Sequence, residues 1–258
     1  MDHVKRTLSA DQRAVSEMVG WIIVVGLIVS SISIVYFNGV PALNNEREAQ
    51  KASSVVSGFE LLQANVEHIA EDRAASRGTQ LNLVGDEINL VNDPGTLVDV
   101  NVTRPDGKRV CPENVCNTTM TPIRFLTTDN AIVYENGAVI RRSGDLTPSG
   151  MTSQPSWLLT NETLIVPVIA TRGKGSVAGS DTVSVFTEQA AENSLVMRNE
   201  SGLNVTVNVT TRRPIAWRTF GTEYGDVTVD ESKGRVSIRV EDVRKVIHDK
   251  TVVEVSFI

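Results

Sequence analysis

Hydrophobic and polar positions along this chain fall into three regimes with different periods. From Val19 to Phe37 the run VGWIIVVGLIVSSISIVYF carries no charged residue. Over about Asn44 to Arg73 the apolar residues recur at helical spacing: Val55, Phe59, Leu62, Val66 and Ile69 are 4, 3, 4 and 3 positions apart. From Thr79 onward the period becomes two, the alternation of a strand with one face buried.

The first regime predicts a membrane helix. Nineteen residues at about 1.5 Å each make a rod of about 28 Å, close to the hydrocarbon thickness of a bilayer. Trp21 and Tyr36 fall near its ends, where amphipathic rings favour the interface. A buried core helix seldom stays apolar on every face for this length. A secretory signal peptide has a shorter apolar core and a small-residue cleavage site, whereas this span runs into Gly39-Val40-Pro41. Lys5, Arg6 and Arg13 precede the span, and basic flanks stay in the cytoplasm. The expected location is therefore a single-pass cell-membrane protein, with a cytoplasmic N terminus and an extracellular C-terminal domain.

The second regime predicts an amphipathic helix with one narrow apolar seam. Glu46, Glu48, Lys51, Glu60, Glu67 and Glu71 lie off that seam. The seam could pack on the domain that follows or on neighbouring subunits. Gly39 and Pro41 predict a kink or bend at the junction of the two helical segments.

In the third regime Leu81 and Leu83, Ile88 and Leu90, and Val98, Val100 and Val102 alternate with polar residues before the turn Pro105-Asp106-Gly107. Ile132-Val133-Tyr134 and Ala138-Val139-Ile140 flank Glu135-Asn136-Gly137, and Asn-Gly is a strong hairpin signal. Further strands are expected over 164–168, 182–186, 205–209, 227–229, 236–240 and 252–257, with a turn near Glu188–Asn193 and no other helix after about Arg73. The fold class read from this is mainly β with a long N-terminal helix: a transmembrane helix, an amphipathic helix, then an antiparallel β-sandwich ectodomain. The expected organisation is a leader over 1–14, the membrane helix over 15–40, the amphipathic helix over 41–75 and the ectodomain over 76–258. The polar stretch 188–202 marks a weak candidate subdivision.

Composition narrows the function. The net charge of −6 argues against a nucleic-acid partner, which needs a basic face. Two cysteines and three histidines leave little for a zinc or iron–sulfur centre. His3, His68 and His248 are far apart in sequence, and no nucleophile–base arrangement or spaced carboxylate pair stands out. Arg172-Gly173-Lys174-Gly175-Ser176 falls short of a phosphate loop, because Val168 occupies the position of the first glycine. Asp226, Asp230, Glu231, Glu241 and Asp242 read as a solvated acidic face that could hold calcium loosely. No catalytic residue, metal site or cofactor is expected, and the chain reads as a non-enzyme.

Two kinds of residue fit an extracellular domain. Cys111 and Cys116 enclose four residues and could close a short disulfide loop outside the cell; two free thiols are the alternative. Asn-x-Ser/Thr acceptors for N-glycosylation stand at Asn101, Asn117, Asn161, Asn199, Asn204 and Asn208, all after the apolar span.

The run Arg13-Ala14-Val15-Ser16-Glu17-Met18-Val19-Gly20 resembles the start of archaeal type IV pilin-like proteins. The resemblance implies a prepilin peptidase as a partner, cutting between Ala14 and Val15 on the cytoplasmic side and leaving the apolar helix on the mature chain. Glu17 stands where many such proteins have proline, and Ala14 where many have glycine. The segments NEREAQKASSVVSGFELLQANVEHIAED, ASRGTQLNL, NAIVYENGAVIRR and LIVPVIATRGKGS are similar to haloarchaeal surface proteins with a pilin-like N terminus and a β-rich ectodomain. What this implies is a structural, assembly or adhesion role at the cell surface, with the lipid bilayer and other pilin-like subunits as partners of the N-terminal helix. The competing expectation is a membrane-tethered ligand-binding module outside any filament, marked by a concave cluster of aromatic and acidic residues.

Overall fold

The computed structural model describes residues 3–72, 74–83, 85–90, 95–127, 130–143, 150–179 and 181–258. It divides into two compact units, Met1–Ser53 and Ser54–Ile258. The chain is mainly β with a long apolar N-terminal helix, as its periodicity predicts.

One helix, α1 (His3–Asp72), contributes to both units. The two helical segments expected on either side of Gly39–Pro41 are one element, since α1 is helical through Pro41. In a helix this long one missing N–H is a local loss, while hydrogen bonds on either side hold the path.

In the second unit the strands are β1 (Ser76–Asn82), β2 (Asp86–Leu90), β3 (Thr96–Thr103), β4 (Asn117–Met120), β5 (Ile123–Leu126), β6 (Asn130–Glu135) and β7 (Ala138–Ser143). They continue with β8 (Gly150–Ser153), β9 (Leu158–Leu159), β10 (Thr163–Arg172), β11 (Gly175–Gly179), β12 (Thr182–Thr210), β13 (Asp226–Asp230) and β14 (Arg235–Phe257). A single turn, α2 (Glu113–Cys116), precedes β4, and a short helix, α3 (Pro214–Gly221), follows β12.

Two sheets result. The first has the order β4-β3-β12-β14-β10-β9, with β1 also on β12 and β13 also on β14. The second has the order β11-β2-β5-β6-β7-β8. Among the described residues all strand pairs are antiparallel except β10 with β14, which run parallel. This departs from the all-antiparallel expectation, and the long connection through β11, β12, α3 and β13 is what permits it.

The expected strands 182–186 and 205–209 are one strand of 29 residues, and 236–240 and 252–257 are one of 23. Register shifts between Gln189 and Ala191 and between Arg198 and Val205 mark bulges in β12. The stretch 188–202 is thus extended chain inside β12, neither a turn at 188–193 nor a linker. Its polar residues hide the alternation because most of this stretch is exposed, while pairing with β14 keeps it extended.

Two cores lie on opposite faces of these long strands. Val98, Val100, Val102, Val205, Val207, Val209, Val236 and Ile238 join Trp157, Trp217 and Phe220 in one. Val55, Phe59, Leu62, Val66 and Ile69 of α1 join Ile88, Phe125, Tyr134, Val183 and Val185 in the other. On β14 the neighbours Val252 and Val253 fall in different cores, as strand geometry requires. All five seam residues of α1 are buried, and Phe59 meets Phe125 edge-on at 6.4 Å between ring centres.

Asn136 and Gly137 form the tip between β6 and β7, with φ of 48° and 76°. Positive φ at both positions is what a two-residue hairpin turn demands, and Asn-Gly meets it at least cost. The helix α3 has no counterpart in the strand-only expectation. Its signals were present: Pro214 at the first position, Gly221 at the end, and buried Ala216, Trp217 and Phe220 at helical spacing.

Candidate functional site

In the first unit, Met18–Phe37 is a helix long and apolar enough to cross a membrane. A membrane anchor and a signal sequence both satisfy that test. None of the window is buried, and Trp21, Leu27, Ile32, Val35 and Phe37 are all more than half exposed. Its serine hydroxyls are satisfied along the helix. Ser30, Ser31 and Ser33 donate their hydroxyls to the carbonyls of Gly26, Leu27 and Val29 at 2.7, 2.8 and 2.8 Å. Such internal bonding is what an apolar solvent requires, because hydrocarbon offers no partner to an orphan hydroxyl. Ala14 and Val15 lie within α1; their side chains fall outside the described residues.

In the second unit, Cys111 and Cys116 form a disulfide with their Cα atoms 6.1 Å apart. Both are buried in the first core. The bridge is set by α2, whose turn closes with Val115 and Cys116 donating their N–H groups to the Pro112 carbonyl at 3.1 and 3.0 Å.

The glycosylation acceptors separate into a sheet face and a loop. Asn101 is opposite Thr206, while Asn204 and Asn208 are opposite Thr103 and Asp99, and Asn117 also pairs with Asp99. Cross-strand partners share a face, so Asn101, Asn117, Asn204 and Asn208 lie on one side of β4, β3 and β12, away from the valine core. There Asn208 donates its amide to Asp99 at 3.3 Å and accepts from the Ser237 hydroxyl at 2.7 Å. These four are half-buried, as is Asn199 in the β12 bulge. Asn161, at the tip between β9 and β10, is exposed.

Asn161 also lines a groove of about 560 Å³ with Leu159, Thr160, Tyr224, Gly225, Asp226, Arg239, Val240, Glu241, Asp242 and Val243. Tyr224 is fixed on its inner side, donating its hydroxyl to the Trp157 carbonyl at 3.1 Å. Its ring packs in a cluster with Phe220 and Trp157 at 4.9 and 5.5 Å. Arg239 pairs with Glu241 at 2.8 Å. Of the five acids noted in the sequence, Asp226, Glu241 and Asp242 meet here, while Asp230 pairs elsewhere with Lys233 at 3.1 Å.

A buried ionic knot at the β6–β7 tip has no counterpart among the sequence expectations. Glu135 is fully buried and accepts from Thr96 at 2.5 Å, Thr211 at 2.9 Å and Trp217 at 2.8 Å, besides its ion pair with Arg213. Burial alone would raise its pKa. The Arg213 charge and the hydrogen bonds from Arg213, Thr96 and Trp217 outweigh that and hold the carboxyl below its ordinary value. Beside it, Gln63 of α1 donates to the carbonyls of Gly137 and Gln154 at 2.8 and 2.9 Å. Asn136 accepts from the Ile169 N–H at 3.1 Å. A carboxylate so fully bonded and closed to solvent is built for structure, with no lone pair left for a substrate.

His248 is buried, and burial pushes its pKa down; its Nδ1 sits 3.1 Å from the Val166 carbonyl, so that nitrogen donates. His68 is exposed on α1, whereas His248 is buried in β14. Arg172 ends β10, Gly173 and Lys174 make the connection, and Gly175 and Ser176 open β11. Among the described residues, no group of three His, Cys, Asp or Glu side chains could hold a metal ion.

Residues 13–256 match DUF7289, a family of unknown function. The chain belongs to that family, and the match takes in both the apolar helix and the two-sheet domain. No curated protein and no solved structure matches it.

Proposed function

We propose that this chain is a membrane-anchored, outward-facing, pilin-like surface protein with a structural, assembly or adhesion role. The observation that carries the reading is the wholly exposed apolar surface of Met18–Phe37. At about 25 cal/mol per Å² of apolar area, leaving that surface in water is prohibitive. Only a bilayer, or an equally apolar bundle of like helices, can take it. The basic residues before the span favour a cytoplasmic N terminus. A disulfide and acceptor asparagines suit a domain that matures outside. The role of the second unit is mechanical and adhesive, without turnover.

N-terminal mass mapping of the membrane-extracted full chain tests the reading. A start at Val15 is the expected result and identifies prepilin processing; a start at Met1 retains the anchor without the peptidase. A start beyond Phe37 means a released protein and overturns the proposal. Shearing cells and probing the filament fraction then separates a pilus subunit from a static anchored protein.

A second reading, a membrane-tethered ligand-binding module, is favoured by one observation. The groove beside Tyr224 combines an aromatic ring with Asp226, Glu241 and Asp242 in a concave wall. Titrating the full chain in detergent with neutral oligosaccharides, followed by Tyr224 fluorescence quenching or calorimetry, tests it.

A further inference from the structure

We infer that the groove beside Tyr224 is the cradle of a glycan attached to its own wall, at Asn161. The inference rests on the outward placement of the second unit.

Six acceptor sequences are present, and they are not equivalent in the fold. Four stand on a sheet face in paired strands, where an amide nitrogen such as that of Asn208 is already engaged. Transfer needs the opposite: an asparagine amide free to leave the surface, with the hydroxyl residue two positions on held nearby. The Asn161-Glu162-Thr163 sequence supplies this. It sits at the β9–β10 tip, where Thr160 donates its N–H to the Thr163 carbonyl at 2.9 Å. The tip is anchored from behind: Arg244 and Lys245 both donate their N–H groups to the Glu162 carbonyl at 2.9 Å, and Arg244 pairs with the Glu162 carboxylate at 2.9 Å. Asn161 itself is the one exposed acceptor of the six.

The reaction is a glycosyl transfer from a lipid-phosphate-linked oligosaccharide, catalysed by the host's transferase. The Asn161 amide nitrogen bonds to the anomeric carbon, the phosphate leaves with the bonding pair, and the amide gives up one proton. The first sugars then start inside the groove. Sugar rings offer C–H faces to aromatic rings and hydroxyls to carboxylates and guanidinium groups. The groove presents Tyr224 for the first, and Asp226, Arg239, Glu241 and Asp242 for the second. Its volume of about 560 Å³ is of the size that takes a small ligand. Tyr224 is held by Trp157 and Phe220, so the ring face needs no ordering when the sugar packs. A tethered sugar also binds at high effective concentration, so a shallow site suffices.

The test uses the full chain made in a glycosylating archaeal host and in a host without that machinery. Glycopeptide mass mapping should find Asn161 occupied at the highest fraction of the six acceptors. In the glycosylated chain Asn161→Gln should lower the unfolding midpoint by about 2–4 °C for a domain of this size, and Tyr224→Ala by more, since it also removes the packing on Trp157 and Phe220. The double variant should lose less than the two together, because both remove one contact. In the unglycosylated chain Asn161→Gln should change nothing, and Tyr224→Ala should cost the same with or without it. An empty Asn161, or the same additivity in both hosts, overturns the inference. An empty Asn161 on a chain still found outward in the membrane sinks the inference alone. A chain absent from the membrane sinks the reading beneath it.

Discussion

Arg213, just before α3, forms an ion pair with Glu135, at the end of β6; the carboxylate is fully buried and the guanidinium nearly so. The pair joins segments 78 residues apart in the sequence, and Thr96, Thr211 and Trp217 complete the carboxylate's shell. Removing one partner of a buried pair leaves the other charge stranded, at a cost of about 3–5 kcal/mol. Arg213→Ala should therefore destabilise the second unit by that amount. Arg213→Lys, which keeps the charge but loses the planar fork, should cost less. Urea unfolding followed by tryptophan fluorescence checks both, since Trp217 itself bonds to Glu135. An Arg213→Ala effect below about 1 kcal/mol would mean that the four neutral and ionic donors are redundant.

The α1 seam makes a paired prediction. Leu62 is fully buried and its neighbour Leu61 is 55% exposed. Leu62→Ala should cost about 2–5 kcal/mol, the range for a buried leucine whose cavity does not collapse. Leu61→Ala should fall within about 0.5 kcal/mol of the parent. Equal effects at the two positions would remove the seam as the element that docks this part of α1.

These two cases show why one part of the molecule was legible in the sequence and another was not. Leu62 belongs to a repeat, and its burial follows from the spacing of Val55, Phe59, Val66 and Ile69 without any knowledge of the partner surface. The strands with Val98, Val100 and Val102, or Val205, Val207 and Val209, were readable for the same reason. Glu135 belongs to no repeat. Its sequence neighbours, Asn136 and Gly137, announce a turn, and turns are usually wet, so a carboxylate there reads as surface. Only the arrival of Thr96, Thr211, Arg213 and Trp217 from distant segments makes it a core residue. The groove was hidden likewise, because Asn161, Tyr224 and Glu241 come from separate elements that only the fold brings together. Helix α3 is a different failure: its cap signals were local and readable, but eight residues give a short period among strong strand signals.

Acid should weaken the second unit in two steps. His248 has its pKa lowered by burial from an ordinary 6.5, so below that value the unfolded chain binds a proton that the folded chain resists. Its contribution is present above about pH 6.5 and is lost as pH falls toward the folded value. Glu135, with its pKa held below 4.5 by Arg213 and its hydrogen bonds, follows the same sign lower down: its contribution is present above about 4.5 and lost in more acid solution. Unfolding free energy measured against pH should therefore fall first below pH 6.5 and again below 4.5. His248→Gln should flatten the upper step and leave the lower one. An unchanged upper step in that variant would assign it to another group.

The Cys111–Cys116 bridge closes a very short loop, so its effect should be modest. Loop-closure entropy for so few residues amounts to about 2 kcal/mol. Cys111→Ala together with Cys116→Ala should lower stability by about that much and leave the protein folded. The replacement sits in the first core, so part of the loss is packing. Adding a reductant to the parent separates the two, because it opens the loop and keeps both sulfur atoms in place. A loss above about 4 kcal/mol in the reduced parent would show that α2 and β4 cannot dock without the bridge.

The apolar span makes the most exposed prediction. Its driving force comes from Val19, Ile22, Ile23, Val24, Val25, Leu27, Ile28, Val29, Ile32, Ile34, Val35 and Phe37, each contributing about 0.3–0.6 kcal/mol to insertion at mid-membrane. Trp21 and Tyr36 lie at the ends and the serines are bonded internally, so neither adds a large opposing cost. An arginine at the centre costs about 2.5–3.5 kcal/mol, which is a large part of the whole. Val29→Arg should thus lower the fraction of chain that stays with membranes after carbonate extraction, and Val25→Arg with Val29→Arg should abolish it. Val29→Leu should leave it unchanged. If the double arginine variant stays in the membrane fraction, something other than this helix holds the protein there. The bilayer would then be no explanation for twenty residues of bare apolar surface.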